Sequence, residues 1–393
     1  MTISSRLWLA FSVLLIVLIS ALFFTQIRLG ILTGLFLFDL LDERTVHLPD
    51  QGTLAWVTPS PVVQTLTIRV KDRNIPADLY YTSDGKRHAA ILLTHGIIES
   101  GKDDLRLVRF ARSLARVGFA VLVPELRGMK SLRIQMSDTD DIVSCFQHMA
   151  SLNSLLDNRK MGLMGFSYGA GPTLIASANA AIRERVKFVV SFGGYYDPIN
   201  VIRFVTTGTY EYGRIKGFLP PEPYGKWVFF INNVDYVESV SDRRVLREIF
   251  DKEAKGRKQE AAAHLEQLTP AGRSLYELLN INDPDRTEEL VRKTDRRFQE
   301  YLKRISLVSV IPKVTAYLII GHGSTDPLIP YTESLRLAHA VKDEQKVHVA
   351  ILQLFSHVDP SRSKFSLRDS VTTYVPSLLR FYFLVYDLFR QQL

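Results

Sequence analysis

Residues 165–169 read Gly165-Phe166-Ser167-Tyr168-Gly169, directly after the apolar run Met161–Phe166 and before a stretch of helical character. A serine held this way suits nucleophilic attack on a carbonyl. The G-x-S-x-G pentapeptide turns a strand sharply into a helix and lifts the hydroxyl out of the sheet. Its glycines let neighbouring backbone pass closely, and the helix behind it aims free N–H groups at developing negative charge. The amide of Tyr168 is one expected donor to that charge. The other is expected from the His95-Gly96-Ile97 turn, with Ile97 as the donor. A serine needs a base, and among the nine histidines His357, in Phe355-Ser356-His357-Val358-Asp359, has the best position. It follows an apolar run at the edge where such sheets collect their active sites. The base needs an orienting carboxylate, which Asp326 supplies in Gly321-His322-Gly323-Ser324-Thr325-Asp326-Pro327. The order Ser167, Asp326, His357 is the one G-x-S-x-G enzymes use. Asp197, in Gly193-Gly194-Tyr195-Tyr196-Asp197-Pro198, is a rival for the acid, whereas Asp359 stands too near His357 in sequence to hold its ring. His95 is expected to shape its own loop, and His322 merely precedes the acid candidate.

Such a constellation needs strands that end at one edge. Val63–Val70 and Ile75–Thr82 flank a polar turn at Lys71–Asn74 and predict a hairpin. Ala89–Thr94 and Phe119–Pro124 are continuous apolar runs, as in strands buried on both faces. Between them Leu107, Val108, Ala111, Leu114 and Ala115 share one helical face, with Gly118 as the stop. A helix near Thr139–Leu156, the strand Met161–Phe166, a helix over Pro172–Arg183 and the strand Val186–Phe192 continue the alternation. It resumes with a strand at Thr315–Ile320, a helix near Thr332–Val341, a strand at Lys346–Leu354 and a helix from about Ser370. Short strand–helix connections predict a parallel sheet covered by helices on both faces. The interruption over residues 200–311 reads as an inserted cap, splitting the core into 63–199 and 312–393. The cap's aromatics (Phe204, Tyr210, Tyr212, Phe218, Tyr224, Trp227, Phe229 and Phe230) either line a pocket for an apolar acyl chain or form the cap's own core.

The motif order, from His-Gly turn through G-x-S-x-G and G-x-x-x-x-D-P-x-x-P to a late histidine, resembles the α/β-hydrolase superfamily. It is most similar to the dienelactone hydrolase, acyl esterase and prolyl-oligopeptidase neighbourhood, over roughly residues 60–200 and 312–393. The resemblance implies an eight-stranded, mostly parallel sheet with a helical cap after the sixth strand. It also implies serine hydrolysis of an acyl ester, with peptide, thioester and lactone cleavage available to the same machinery. A catalytically silent binding module on the same fold is the alternative. Tyr168-Gly169-Ala170-Gly171 departs from the paired glycines common in the peptidases. Glu125-Leu126-Arg127-Gly128-Met129-Lys130-Ser131 departs from the usual D-x-R-G-x-G-x-S. No motif implies a metal or an organic cofactor.

Composition sets the surroundings. With 46% hydrophobic and 23% charged residues among 393, disorder and low-complexity scaffolds are excluded. A single cysteine, Cys145, excludes an internal disulfide and a cysteine-cluster metal site. The net charge of +8 comes with no basic run, and charges of both signs alternate from Ser241 to Arg304, so nucleic acid is not an expected partner. The mean hydropathy of +0.03 is high for a water-soluble enzyme. Its source is Leu7–Ile27, a run without charge, proline or glycine between Arg6 and Arg28. As a helix it reaches about 31 Å, the thickness of a bilayer core. No small-residue cleavage site follows, so an uncleaved anchor is expected, with the following domain on the exported side. Leu29–Leu41 is too short to span and either lies in the interface or packs on the domain. Residues 1–45 thus read as anchor and juxtamembrane segment, and 46–62 as a linker. A domain starting near residue 46 is therefore expected to be monodisperse without detergent.

Overall fold

The computed structural model describes residues 23–42, 44–353, 355–356, 359–360 and 374–393. Eight strands form the main sheet: β1 (Val62–Val70), β2 (Arg73–Tyr81), β3 (His88–Thr94), β4 (Phe119–Pro124), β5 (Leu156–Phe166), β6 (Val186–Phe192), β7 (Tyr317–Gly323) and β8 (Val347–Leu352). Their order is β1-β2-β4-β3-β5-β6-β7-β8. β2 runs antiparallel to both β1 and β4, and every other pairing is parallel. This is the eight-stranded, mostly parallel sheet that the motif order implies. The hairpin turn is tighter than the sequence suggests, with only Lys71 and Asp72 between strands and Lys71 at φ +51°. β3 and β4 are buried at every position, which is why they lack alternating polar residues.

Alternation is still there, read as two cores. Ala90, Leu92, Ala120, Leu122 and Leu163 face one side, against the Met136–Met149 and Ala170–Ser177 helices. Ile91, Leu93, Phe119, Val121 and Met164 face the other, against the Leu105–Arg116 and Val375–Arg390 helices. Each inner strand therefore sends successive side chains into different cores. Between β6 and β7 the chain forms a small hairpin, Thr209–Tyr212 with Ile215–Phe218, and helices including Val240–Ala254, Pro270–Leu279 and Arg296–Ile305. Phe204, Phe229, Phe230, Phe250 and Phe298 of this insertion are fully buried and join the first core.

The N-terminal region differs from its reading as anchor tail plus linker. Phe24–Leu41 is one continuous helix, so the end of the Leu7–Ile27 run and the Leu29–Leu41 segment belong to the same element. Residues 7–22 of the expected anchor lie outside the described residues. By length and composition the Phe24–Leu41 helix is apolar enough to cross a membrane, yet a third of it is buried inside the domain. Leu29, Leu32, Phe36 and Leu37 sit in the second core, and the Phe36 ring meets Phe110 at 5.5 Å and Phe389 at 5.2 Å edge-on. Of the two readings of Leu29–Leu41, packing on the domain holds for the face that carries Leu29, Leu32, Phe36 and Leu37. Nor is 46–62 a free linker. Asp39, buried near the end of the helix, accepts from the Thr53 amide and hydroxyl at 2.5 and 2.7 Å and from the Leu54 amide at 3.0 Å. Asp50 takes Arg112 and Arg116, each at 2.6 Å, and Leu54 is fully buried. Irregular backbone with prolines looks like a linker by composition; here side-chain partners from elsewhere satisfy it.

Candidate functional site

Ser167 has φ +53°, one of three non-glycine residues with positive φ among the described residues. A serine gains nothing locally from that conformation, so the surrounding turn imposes it. β5 ends at Phe166 in extended geometry, one turn of 3-10 helix carries Ser167–Gly169, and the Ala170–Ser177 helix follows. The glycines are sterically required. A Cβ on Gly165 would stand 2.7 Å from Ala170 Cα, and one on Gly169 would run into the His95 carbonyl oxygen. Thr94 Oγ1 and Thr173 Oγ1 lie 2.7 Å apart, and the Thr173 hydroxyl donates to the Gly169 carbonyl at 2.7 Å. The end of β3 is thus pinned to the helix behind the serine.

That pin brings the His95-Gly96-Ile97 turn beside the serine, with an added Gly96 Cβ placed 3.5 Å from Ser167 Cβ. His95 shapes its loop, as expected. Its Nε2 accepts the Leu126 amide at 3.1 Å, leaving Nδ1–H to donate to the Gly96 carbonyl at 2.7 Å. Burial lowers its pKa, so the ring stays neutral and the loop keeps one shape. Ile97 and Tyr168 line the same cavity as Ser167.

Asp326 is buried in the loop after β7, at the same sheet edge. Its Oδ1 accepts the amides of Leu328 and Ile329 at 2.8 and 2.9 Å, a turn that fixes the carboxylate's direction. His322, set aside in the sequence reading, turns out to support this loop. Its Nε2 lies 2.9 Å from the Ile329 carbonyl and 3.3 Å from Asp326 Oδ2, and its Nδ1 lies 2.7 Å from Ser334 Oγ. The only sequence sign of this was its place four residues before the acid. The loop is also stitched to the chain leading to the candidate base: Ser324 donates its amide to the Leu352 carbonyl at 2.9 Å, and Thr325 its hydroxyl to the Phe355 carbonyl at 3.4 Å. His357 itself lies outside the described residues. Its neighbours pair antiparallel, Phe355 with Pro360 and Ser356 with Asp359.

The rival acid is otherwise engaged. Asp197 caps the Pro198–Thr207 helix, accepting the Ile199 amide at 3.1 Å, while its own amide donates to Glu333 at 2.7 Å. Burial raises its pKa. Among the described residues no group of histidine, cysteine, aspartate and glutamate side chains is arranged to hold a metal ion.

Beside Ser167 opens a cavity of about 400 Å³. Its walls are mostly apolar, with Ile97 and Tyr168 near the serine, then Phe110, Met164, Phe166, Val190, Phe192 and Ile319, then Phe36, Leu40, Phe381, Leu384 and Leu388, while His95, Asp104, Arg106 and Arg109 supply its polar part. Among the described residues the cap contributes Gly225 alone. For Phe204, Tyr210, Tyr212, Phe218, Phe229 and Phe230 the expectation that cap aromatics line an acyl pocket is therefore corrected, since none of them lines the cavity. Phe204, Phe229 and Phe230 are buried where the cap joins the first core, Tyr210 meets Tyr331 edge-on, and Phe218 is exposed. The side chains of Tyr224 and Trp227 lie outside the described set.

No protein-family model matches the chain, and no curated protein matches it. Solved structures do. The uncomplexed acylaminoacyl peptidase of Pyrococcus horikoshii is similar at 15% identity and a TM-score of 0.50, over 86% of this chain and 43% of that one. A dienelactone hydrolase from Anabaena variabilis is similar at 14% identity and a TM-score of 0.45, over 85% of this chain and 100% of that one. Est1E from Butyrivibrio proteoclasticus is similar at 13% identity and a TM-score of 0.44, over 83% and 98%. This chain spans less than half the length of the peptidase. Likeness at this identity is likeness of fold, and the fold is that of the α/β hydrolases.

Proposed function

We propose that the chain is a membrane-anchored serine hydrolase, its domain on the exported side, that cleaves an acyl ester with an apolar acyl group. The observation that carries this reading is Ser167, held at φ +53° where a strand turns into a helix, at the wall of an apolar cavity. In the proposed reaction Ser167 Oγ attacks the carbonyl carbon as His357 takes its proton. The carbonyl oxygen becomes an oxyanion received by the amides of Ile97 and Tyr168. Collapse of the tetrahedral intermediate expels the alcohol, which takes the proton from His357, and leaves the acyl group on Ser167. Water, deprotonated by His357, then releases the acid and restores the serine. Asp326 holds the imidazole in its tautomer and stabilises its protonated form; the fixed turn around its Oδ1 supports this role. Asp197, spent on a helix cap, is a poorer candidate.

The test is labelling by a fluorophosphonate together with hydrolysis of a p-nitrophenyl ester. Ser167→Ala is expected to abolish both, lowering turnover by about 10³-fold or more while preserving the fold. A variant that keeps more than about a tenth of the rate rules out Ser167 as the nucleophile.

A further inference from the structure

The Phe24–Leu41 helix is apolar on both sides, and only one side is covered. Leu29, Leu32, Phe36 and Leu37 are buried, whereas Phe24 (64%), Ile27 (48%), Ile31 (59%) and Phe38 (61%) are exposed along the opposite stripe. The Val375–Arg390 helix repeats the pattern, with Phe381, Leu384 and Leu388 inside and Leu379 and Phe383 exposed. The two helices pack together where the Tyr382 hydroxyl donates to the Gly30 carbonyl at 3.0 Å. An exposed apolar surface on two adjacent helices calls for an occupant. The same two helices wall the cavity beside the serine. Two ring contacts, Phe166 to Phe110 at 5.2 Å and Phe110 to Phe36 at 5.5 Å, lead from the residue before Ser167 to the Phe24–Leu41 helix.

We infer that these helices lie on a lipid bilayer, that the cavity takes the hydrocarbon chain of an acyl ester drawn from it, and that Leu40 helps set the chain length accepted. The inference rests on the serine-hydrolase reading above. The bilayer is the occupant because the exposed stripe begins inside the Leu7–Ile27 run, uncharged and apolar in sequence. The helix lies along that surface rather than across it. Its inner face is already docked on the domain, and Asp39 near its end is buried and hydrogen-bonded to Thr53 and Leu54. An interfacial helix has such a form, one side in lipid and one on protein. The ester group then remains at Ser167 while the methylenes run between Phe110, Phe36 and Leu388, so each added methylene is read by apolar walls.

The experiment uses the full-length chain in phosphatidylcholine nanodiscs. Leu40→Trp narrows the cavity and is expected to lower the kcat/KM ratio of p-nitrophenyl laurate to acetate at least tenfold. Should that variant not fold, Leu40→Ala tests the same wall with the opposite sign, raising the ratio of palmitate to laurate. Phe38→Cys adds a thiol to the exposed stripe while Cys145 is fully buried. A fluorophore on it is expected to be quenched when the phosphatidylcholine chains carry bromine. An unchanged chain-length ratio in a folded variant overturns the cavity assignment. An unquenched label, as when a second copy or residues 1–22 cover the stripe, overturns the bilayer assignment. Failure of the unmodified chain to react with a fluorophosphonate would instead sink the hydrolase reading itself.

Discussion

Removing residues 1–45 takes away Leu29, Leu32, Phe36 and Leu37, each at most 6% exposed. At about 2 kcal/mol for each buried side chain the loss is on the order of 8 kcal/mol. The carboxylate of Asp39 goes with them, and the amides of Thr53 and Leu54 lose their acceptor, a further cost of about 1–3 kcal/mol. Against a typical total stability of about 5–15 kcal/mol, the remaining domain is left marginal or unfolded. It also uncovers Phe110, Phe389 and the cavity wall, which adds an aggregation surface. Removing residues 1–22 touches none of these contacts. Both truncations are compared with the full chain in a mild detergent, by light scattering on a sizing column and by thermal unfolding. The chain from residue 23 is expected to match the full chain, and the chain from residue 46 to aggregate or melt far earlier. A monodisperse chain from residue 46 that melts with the full chain would refute the argument. The Phe24–Leu41 helix would then be an attachment to the domain rather than part of its core.

Two further outcomes are expected. Asp326→Asn should lower ester turnover by about 10⁴-fold with the fold intact, since the imidazole loses its orienting charge, while Asp197→Asn should lose much less; purified, folded variants with the reverse ranking would transfer the acid to the loop after β6. Glu333, fully buried and bonded to the amides of Tyr196 and Asp197, is pushed up to about 7 by its burial. The folded state then keeps a proton that the unfolded state releases, so this group's contribution to stability is full below pH about 4.5 and is lost as pH rises through about 7. Glu333→Gln should flatten that decline, measured as midpoint of denaturation against pH; the Asp138 carboxyl, pushed up to about 6, leaves a residual slope of the same sign. Identical slopes in the two proteins would show that Glu333 does not titrate in this range.

Local signals made the centre of the site legible. The pentapeptide around Ser167 needs its glycines because Ala170 and His95 stand against Gly165 and Gly169, so the sterics and the motif are one fact. Strands β3 and β4 were legible because burial on both faces leaves an unbroken apolar run. The N-terminal packing was not. From Phe24 to Leu41 apolar residues lie all round the helix, so nothing periodic marks the side that meets the domain. Asp39 breaks the run, but its partners Thr53 and Leu54 are 14 and 15 residues away and answer to no helical spacing. His322 is similar: its contacts with Ile329 and Ser334 form only once the loop after β7 has closed.

The cavity's position follows from strand parity. Met164 and Phe166 on β5, Val190 and Phe192 on β6, and Ile319 on β7 all line it. Along each strand these are alternate residues, so they point to one face of the sheet, and that face is covered by the Leu105–Arg116, Val375–Arg390 and Phe24–Leu41 helices. The intervening residues, Leu163 and Val189 among them, point to the opposite face, where the cap's aromatics are packed. The cap's buried phenylalanines and the cavity are therefore on different sides of the sheet, and the serine sits at the edge both share. On the proposed ester-hydrolase reading, selectivity for the acyl group belongs to Phe110, Phe192 and Leu384 rather than to Phe204 or Phe230. The helix that leads out of the apolar N-terminal run supplies part of that wall, so on the proposed reading attachment to a membrane and choice of substrate meet in a single element.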